Sequence, residues 1–475
     1  MASVGVTIGA GPAAWQVLQQ DATGHAAIEL SGEWAPLPGT DRDAGRQVVE
    51  ARLVYESSGC PVSQDLDWAP AETGTDGRWT ASLVGVPAGG LYRVETRVSR
   101  RGLADDRPLR GDYIHCLGVG DLWCIAGQSN ASGTGAGIAE DGPELGVHVL
   151  GNDETWRLAT HPLEDATATR HPITMTGIYH GHSPWLAFAK ALKRSLGYPI
   201  GLIPTALGGS PLQRWNPAEP GPADLYSNLL EMVSLAGGRV RGSVWYQGES
   251  DCSPDLSATY QDRFRDFVEA LRRDLGDRGL PVLTAQLNRF TTPSLALSPV
   301  GRCDAGADRG WSIVREAQRR LAEEVPQISV VPTLDLFLSD NIHNAAGAQV
   351  MLGERFARVA LGRVYGRPAL HEFAGISRAR LTDDRRGVDL QFTGVSGGWT
   401  TVGPVADFSL EDEQGWVPVR RVELGDAGDV TLHLIRAVGG EATLHGGYGA
   451  NPEVNLRDGN RQPFVAFSVR LPHGI

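Results

Sequence analysis

Residues 117–366 alternate between two kinds of segment, and this alternation restricts the fold more than any other feature of the chain. Short apolar runs of strand length are each followed by a longer segment with the apolar periodicity of a helix. The strand candidates are 121–126, 200–206, 242–246, 282–288 and 328–332, and the helix candidates are 184–196, 224–236, 257–275, 312–324 and 344–361. Strands separated by helices of this length predict βαβ units with right-handed crossovers, and therefore an α/β fold with a parallel sheet.

The segments on either side of this region have a different pattern, in which apolar and polar residues alternate with period two between turn residues. The strand candidates are 27–31, 47–55, 77–83 and 91–98 before it, and 387–392, 417–422, 429–434 and 463–471 after it. We therefore expect a β-sandwich accessory domain over residues 1–112, a catalytic domain over 113–366 and a β-rich domain over 367–475. An alternative is that the two β segments together form one discontinuous domain.

The composition excludes several classes of function. The chain has 43 Lys and Arg against 56 Asp and Glu, and its net charge of −13 disfavours binding to nucleic acid. Its five cysteines are scattered without a Cys-x-x-Cys pair, so neither a disulfide framework nor a zinc site is indicated. His180 and His182 form half of a metal site without a third ligand at a suitable spacing. We expect no metal and no cofactor.

The N-terminus shows no basic start followed by a long apolar core, and no apolar run reaches the length of a membrane span. We therefore expect a cytoplasmic protein with no membrane partner.

Ligand sites of parallel sheets form beyond the carboxyl ends of the strands. The sequence Gly127-Gln-Ser-Asn130 follows the first strand of the α/β region and displays Ser129 at this edge. Backbone N–H groups of a helix that follows would stabilise developing negative charge there. A serine at such a turn is therefore a candidate nucleophile, and the alternative is a serine that only caps a helix or bends a loop.

A second candidate lies near the end of the α/β region, where Asp340 stands three residues before His343. On a turn that leads into the last helix, this spacing lets the carboxylate meet the imidazole while the other ring nitrogen points outward. Together with Ser129, these residues would complete a set of nucleophile, base and orienting acid. The alternative is a helix cap beside a surface histidine.

Two further strand ends supply groups that acyl transfer needs. Gly208 and Gly209 directly follow a strand, where they allow backbone N–H groups to form an oxyanion hole, or else a plain tight turn. Gln247 and Glu249 follow the next strand and add an amide and a carboxylate. Glu249 is either a second acid for the histidine or a solvated loop residue.

Arg214 and Trp215 follow the glycine pair. A guanidinium and an indole near a site suit a carboxylated or sugar ligand by hydrogen bonding and stacking, although a structural tryptophan is the alternative.

Four blocks of the chain together resemble the SGNH-hydrolase superfamily, and within it the sialate O-acetylesterase and acetylxylan esterase branch of the carbohydrate esterases. The blocks are Gly-Gln-Ser-Asn at 127–130, Gly-Gly-Ser at 208–210, Trp-Tyr-Gln-Gly-Glu-Ser at 245–250 and Asp-x-x-His at 340–343. The resemblance extends to 85–92, 118–123 and 451–464 and leaves only 1–30 and 292–310 unmatched. It implies a flavodoxin-like, three-layer α/β/α hydrolase domain flanked by β-sandwich domains.

The resemblance also implies roles for the candidate residues. Ser129 would be the nucleophile, His343 the general base and Asp340 its orienting acid, with Glu249 as an alternative acid. The oxyanion donors would be the backbone N–H groups of Ser129 and of Gly208 or Gly209, helped by the amide of Gln247. Gln128, Asn130, Arg214 and Trp215 are the candidates for substrate binding. Ala131 stands where the family usually has Met, so we expect a wider acyl or sugar pocket.

The implied function is a serine esterase that removes O-acetyl groups from carbohydrates such as sialic acid or xylo-oligosaccharides through an acyl-enzyme. Two alternatives remain at this point. One is a short-chain acyl esterase or lipase-like hydrolase of non-sugar esters, and the other is a carbohydrate-binding protein with a vestigial catalytic layer. A homodimer is left open.

Overall fold

The computed structural model describes residues 5–36, 47–100, 108–175, 181–291, 305–367 and 372–471. The helices are α1 Ser129–Ser132, α2 Trp185–Leu196, α3 Asp224–Leu235, α4 Pro254–Asp274, α5 Ala305–Glu324 and α6 Ala346–Arg363. Strands of the first part are β1 Gly5–Ala10, β2 Val17–Gln19, β3 His25–Ala35, β4 Gln47–Tyr55, β5 Ala69–Pro70, β6 Glu72–Thr73, β7 Arg78–Pro87, β8 Gly89–Arg100 and β9 Leu109–Gly127. Those of the middle part are β10 Val147–Leu150, β11 Trp156–Leu158, β12 Ile200–Pro204, β13 Gly242–Tyr246, β14 Val282–Ala285 and β15 Ile328–Val331. Those of the last part are β16 Gly375–Leu381, β17 Gly387–Thr393, β18 Trp399–Thr401, β19 Phe408–Asp412, β20 Gly415–Val417, β21 Val419–Leu424, β22 Asp429–Leu434, β23 Ala442–Gly446, β24 Leu456–Asp458 and β25 Phe467–Leu471. None of the described helices combines the length and the apolar character that crossing a membrane requires.

Strand β9 joins the N-terminal β segment to the α/β region. Its first part pairs antiparallel with β8, from Val98 opposite Leu109 to Gly89 opposite Val119. Its second part lies between β12 and β13 and is parallel to both. The boundary that the sequence predicted between residues 112 and 113 therefore falls inside a single strand.

The central strands form a sheet in the order β10-β12-β9-β13-β14-β15, in which every neighbouring pair is parallel. The short strand β11 adds an antiparallel edge next to β10. Most predicted strands and helices of this region are confirmed to within a few residues, but β9 begins at Leu109 instead of residue 121 and α5 at Ala305 instead of residue 312. The short elements α1, β10 and β11 were missed. The protein is thus a mixed α/β structure with one large sheet and several smaller ones.

The described residues form three separate hydrophobic cores under these sheets. The largest surrounds the parallel sheet, a second lies under β3, β4, β7 and β8, and a third lies among the strands after residue 374. The last strands form the sheets β16-β17-β22-β21, β20-β19-β23-β25 and β18-β24. Among the described residues, no strand pairing joins the N-terminal sheets to the C-terminal ones.

The fully buried Arg315 of α5 attaches the C-terminal segment to the parallel sheet. Its guanidinium donates to the carbonyl oxygens of Leu287 (2.8 Å) and Asn288 (2.9 Å), which follow β14, and to that of Gly449 (2.5 Å) in the C-terminal segment. Weaker bonds at 3.4 Å reach the carbonyls of Gly447 and Ala450. One charged side chain therefore donates hydrogen bonds to buried carbonyl groups of two segments that are distant in the sequence.

Replacement of Arg315 by Met keeps an apolar stem of similar length but leaves the buried carbonyl groups of Leu287 and Gly449 without a donor among the described residues, whereas that of Asn288 keeps the indole of Trp311. We expect the variant to lose about 3 kcal/mol or more of the free energy of unfolding, because each unsatisfied buried acceptor costs about 1–3 kcal/mol. Thermal unfolding at neutral pH measures the change. The control is Arg320→Met on the same helix, where the half-exposed guanidinium pairs with Glu324, and we expect a change below about 1 kcal/mol there. Equal effects of the two substitutions would contradict this role of Arg315.

Candidate active site

Ser129 lies at the carboxyl end of β9, where the strand approaches β13 too closely for a side chain. Gly127 has a φ of +128°, and a Cβ atom there would collide with the carbonyl of Tyr246. The N–H of Gln128 donates to the same carbonyl at 2.9 Å, and α1 begins at the next residue. The tight passage past Tyr246 therefore fixes the position of Ser129.

The loop before α6 brings His343 to this serine. His343 Nε2 lies 2.9 Å from Ser129 Oγ, and His343 Nδ1 lies 2.6 Å from Asp340 Oδ2. The two nitrogens thus connect an acid and a hydroxyl on opposite sides of one ring. When Nδ1 carries the proton towards Asp340, Nε2 is free to accept the proton of the serine hydroxyl.

Asp340 is held in the ionised form by its surroundings. Burial opposes ionisation, but the backbone N–H groups of Ile342 (2.8 Å) and His343 (2.7 Å) and the His343 ring all bond the carboxylate. Together they keep the pKa of Asp340 below its usual value. A negative charge at this position stabilises an imidazolium on His343.

The loop after β12 lies beside Ser129 because the N–H of Leu207 donates to the carbonyl of Gly127 at 3.0 Å. Gly209 has a φ of +70°, a conformation that favours glycine. Within the ranges that the structure describes, the N–H groups of Ser129, Gly208 and Gly209 donate to no protein acceptor. These three donors are therefore available to a bound molecule.

Asn130 is a buried connector and does not line a substrate site, contrary to the prediction. Its Nδ2 donates to Glu249 Oε1 (3.0 Å) and to the carbonyl of Ile342 (3.2 Å), and its Oδ1 accepts from the N–H of Asn344 (3.0 Å). The side chain is 1% exposed. It ties the serine turn to the histidine loop, which sets the distance between Ser129 and His343.

Glu249 meets this connector and lies in a short 3₁₀ turn after β13. Burial raises the pKa of Glu249, and the bond from Asn130 acts in the opposite direction. Its Oε2 is buried and finds no hydrogen-bond partner among the described residues. Glu249 therefore acts on the site through Asn130, whereas Asp340 bonds the His343 ring.

The prediction that the amide of Gln247 faces the oxyanion is wrong. Gln247 is fully buried, and its Nε2 donates to Asp251 Oδ2 (2.5 Å) and to the carbonyl of Ser210 (3.2 Å). Both N–H bonds of the amide are thus used inside the protein. Gln247 instead holds the end of the glycine loop against β13.

Trp215 and Gln128, two other predicted substrate contacts, are also structural, whereas a role of the partly exposed Arg214 in substrate binding stays a prediction. Trp215 is fully buried, and its Nε1 donates to Ser210 Oγ at 3.0 Å, so the indole is not available for stacking on a sugar. Arg214 is engaged by both carboxylate oxygens of Asp224, each at 3.0 Å. Gln128 is 3% exposed and accepts from the N–H of Ser250.

The expectation that Ala131 widens a substrate pocket is wrong as well. Ala131 is fully buried in the main core, and its carbonyl accepts from the indole of Trp185 at 2.7 Å. The small side chain therefore affects packing beneath α1 and does not line the open side of the site.

The sequence did not predict the residues that bind the buried side of the loop carrying Asp340 and His343. Asn344 is fully buried, and its Oδ1 accepts from Asn288 Nδ2 at 2.5 Å. The N–H of Thr291 donates to the carbonyl of Asn341 at 2.7 Å, and the N–H of Phe290 donates to that of Ala450 at 2.8 Å. The signals in the sequence were the positions of two asparagines. Asn288 stands at the end of an apolar strand candidate, and Asn344 directly follows the Asp-x-x-His block.

Of the two histidines of the predicted half metal site, the structure describes only His182. His180 lies outside the described residues, and His182 packs against His161, whose Nε2 is 2.8 Å from Asp141 Oδ2. The described residues contain no group of three side chains arranged to hold a metal ion.

The chain is similar in sequence to known carbohydrate esterases. Residues 119–362 match the family described as carbohydrate esterase, sialic acid-specific acetylesterase. A probable carbohydrate esterase of Arabidopsis thaliana is 30% identical over 264 residues, which is 50% of this chain and 90% of that protein. The sialate O-acetylesterase of Homo sapiens is 27% identical over 199 residues, and the match spans only 37% of that protein.

A solved structure has the same fold over the whole length. The crystal structure of a carbohydrate acetylesterase from Xanthomonas citri matches with a TM-score of 0.67 and covers 98% of this chain and 99% of that one, at 21% identity. The family match spans more than half of the chain and contains Ser129, Asp340 and His343. The chain therefore belongs to the sialic acid-specific acetylesterase family of carbohydrate esterases.

Proposed function

We propose that this protein removes O-acetyl groups from carbohydrates by a serine esterase mechanism. The observation that carries the proposal is the continuous hydrogen-bonded chain from Ser129 through His343 to Asp340 at the carboxyl edge of the parallel sheet. Its two distances, 2.9 and 2.6 Å, are those that proton transfer and ring orientation require.

In the proposed reaction, Ser129 Oγ attacks the acetyl carbonyl carbon while its proton passes to His343 Nε2. The tetrahedral intermediate collapses, the sugar oxygen takes the proton from His343 and leaves, and an acetyl-serine remains. A water molecule then attacks the acetyl-serine, gives its proton to His343, and acetate leaves as Ser129 recovers the proton. Asp340 balances the positive charge of the ring during both steps.

The oxyanion of each tetrahedral intermediate would accept from the N–H of Ser129 and from that of Gly208 or Gly209. These donors lie on two strand ends that the bond between Leu207 and Gly127 holds together. Fixed backbone dipoles of this kind stabilise a developing negative charge without reorganising. With Gln247 bonded internally, the proposed oxyanion hole consists of backbone groups alone.

The finer architecture belongs to the same proposal. We assign a flavodoxin-like, three-layer α/β/α arrangement to residues 113–366, since α2 packs with α6 and α4 with α5. Accessory β domains at 1–112 and 367–475 remain predictions, as do a cytoplasmic location and a homodimer. The separate hydrophobic cores of the two β segments favour two accessory domains over one discontinuous domain.

A panel of acetylated sialic acid, acetylated xylan fragments and acetylated hexoses tests the substrate class by acetate release. Activity that peaks on longer aryl acyl esters would instead support a lipase-like hydrolase of non-sugar esters. Binding of glycans without hydrolysis of any acetyl ester would support a vestigial catalytic layer.

Replacement of Ser129 by Ala removes the nucleophile, and we expect kcat for acetate release to fall by about 10⁴-fold or more. The control is Ser227→Ala, because this exposed serine of α3 bonds only the carbonyl of Ala223 among the described residues. The control should keep wild-type kcat. Undiminished turnover by the Ser129 variant would exclude the proposed mechanism.

The two acids near the site should differ in importance. Asp340→Asn removes the charge that orients His343, so we expect kcat to fall by about 10³–10⁴-fold. Glu249→Gln keeps an oxygen that accepts from Asn130, and we expect a loss of only about 10-fold or less in kcat. Steady-state kinetics on an aryl acetate compares the two variants. The reverse order of effects would assign the orienting role to Glu249.

A further inference from the structure

A second carboxyl group lies close to the proposed oxyanion hole and takes no part in the mechanism above. Glu164 follows β11, is 8% exposed and has no cationic partner among the described residues. An unpaired carboxylate in such a place is costly, whereas a neutral carboxylic acid is not. Burial therefore favours the neutral form of Glu164, and its hydrogen bonds act on the same equilibrium through the pKa of the carboxyl group.

The first of these bonds reaches the loop that carries the glycine pair. The N–H of Ala206 donates to Glu164 Oε1 at 2.7 Å, while the N–H groups on either side, of Thr205 and Leu207, donate to carbonyls of β9 at 3.0 Å. The segment 205–207 is thus held between β9 and Glu164. The next residue is Gly208, so Glu164 sets the direction of the Gly208 N–H.

The second bond of Glu164 is to the side-chain amide of Asn152, which can pair with either form of the acid depending on which way the amide faces. Glu164 Oε2 lies 3.3 Å from Asn152 Nδ2, and Asn152 Oδ1 is buried without a partner among the described residues. Turning the Asn152 amide by 180° places this orphaned oxygen at the same distance from Oε2. In that orientation Oδ1 accepts a hydrogen bond from a neutral Glu164, while Nδ2 takes the position that has no partner among the described residues.

A small cavity of about 10 Å³ separates Glu164 from the serine turn. Its lining is formed by Ser132, Asn152, Glu164, Thr174, Ala206, Leu207 and Gly208. The hydroxyl of Ser132 in turn donates to the carbonyl of Ser129 at 3.1 Å. A carboxyl group that lines the same cavity as Gly208 acts directly on the electric field at the proposed oxyanion hole.

We propose that Glu164 is a positioning residue that works as a neutral carboxylic acid. Its carboxyl group fixes Ala206, and Ala206 in turn fixes the N–H of Gly208. Ionisation of Glu164 stops hydrolysis. This inference rests on the proposed esterase function. It adds a residue to the site for which the described motifs gave no signal.

The surroundings of Glu164 favour the neutral form. Burial raises the pKa of Glu164 to about 8, although the bonds from Ala206 and Asn152 oppose the shift. Three titratable groups lie on the elements around Glu164. They are Asp153, His171 and, on the far side of Ser129, His343, and Asp153 pairs with Arg157. In the described part of the chain, none of these bonds the Glu164 carboxyl.

Ionisation of Glu164 would have two effects on the reaction. A negative charge beside Gly208 repels the oxyanion that forms during acyl transfer. The charged carboxylate also has no hydroxyl group to donate, so the amide of Asn152 must turn. The position of the segment 205–208, which Glu164 binds through Ala206, then changes. Both effects lower kcat and leave the ground-state binding of a neutral sugar ester largely unchanged.

The first experiment compares pH profiles of kcat on an aryl acetate. For the wild type, we expect kcat to fall by about 10-fold or more between pH 7 and 9.5 as Glu164 loses its proton. Glu164→Gln keeps an acceptor for Ala206 and a donor for Asn152, so its kcat should stay within about 3-fold of the wild-type value at pH 7 and remain flat to pH 9.5. Glu164→Leu should lose activity at every pH. The matched control is Glu144→Gln at the surface, which should keep the wild-type profile.

The second experiment measures the proton on Glu164 without using activity. A carboxyl whose pKa is raised on folding contributes stability that is present below its ordinary pKa of 4.5 and is lost as pH rises to about 8. The unfolding midpoint of Glu164→Gln should therefore rise relative to the wild type across this pH window. The Glu144→Gln control should show no such trend.

The possible results separate this inference from the proposed function. An alkaline fall that persists in Glu164→Gln, or a midpoint difference that does not change with pH, would overturn the role of Glu164. Wild-type activity that equals that of Ser129→Ala would instead overturn the esterase function, and the positioning role with it. A folded Glu164→Gln that is as inactive as Glu164→Leu would contradict action through a neutral hydrogen-bonding group.

Discussion

The parallel pairing of β9 with β12 and β13 is the constraint on which the site depends. Its last residues pass so close to Tyr246 that only glycine fits at position 127, and the chain must then turn into α1. Every other element of the site is placed relative to this turn: the glycine loop through Leu207 and the histidine loop through Asn130. The site is therefore assembled by main-chain and buried amide hydrogen bonds, and the reactive side chains need few contacts of their own.

The parts of this arrangement that follow from local patterns could be read from the sequence. Strands β4, β13 and β22 have the bounds that alternation and turn residues predicted, because these signals lie within the segment itself. The edge of a parallel sheet is likewise a consequence of strand order, so residues that follow strands could be expected to meet. Strand order alone therefore predicts that Ser129, Asp340 and His343 meet, and the structure places them within hydrogen-bonding distance of one another in the order Ser129–His343–Asp340.

What the sequence did not reveal depends on partners far along the chain. Trp215, Gln247 and Asn130 look like ligand-binding groups by residue type, and only their contacts with Ser210, Asp251 and Ile342 show that they are structural. The length of β9 was underestimated because one strand serves two sheets whose hydrophobic patterns differ. Glu164 lies outside every motif, since its importance comes from what surrounds it and not from its neighbours in sequence.

The attachment of the C-terminal segment has a consequence for how the protein is made. Ala450 binds Phe290, Thr291 binds Asn341, and Gln286 exchanges two hydrogen bonds of 2.8 Å with Ala466. Ribosomes deliver the chain from its N-terminus, so the contacts of Phe290 and Gln286 can form only after Ala450 and Ala466, respectively, have emerged. Ser129 is synthesised early, yet the loop that carries its histidine gains its last support near the end of translation. A nascent chain therefore carries the serine turn well before the histidine loop has its full support.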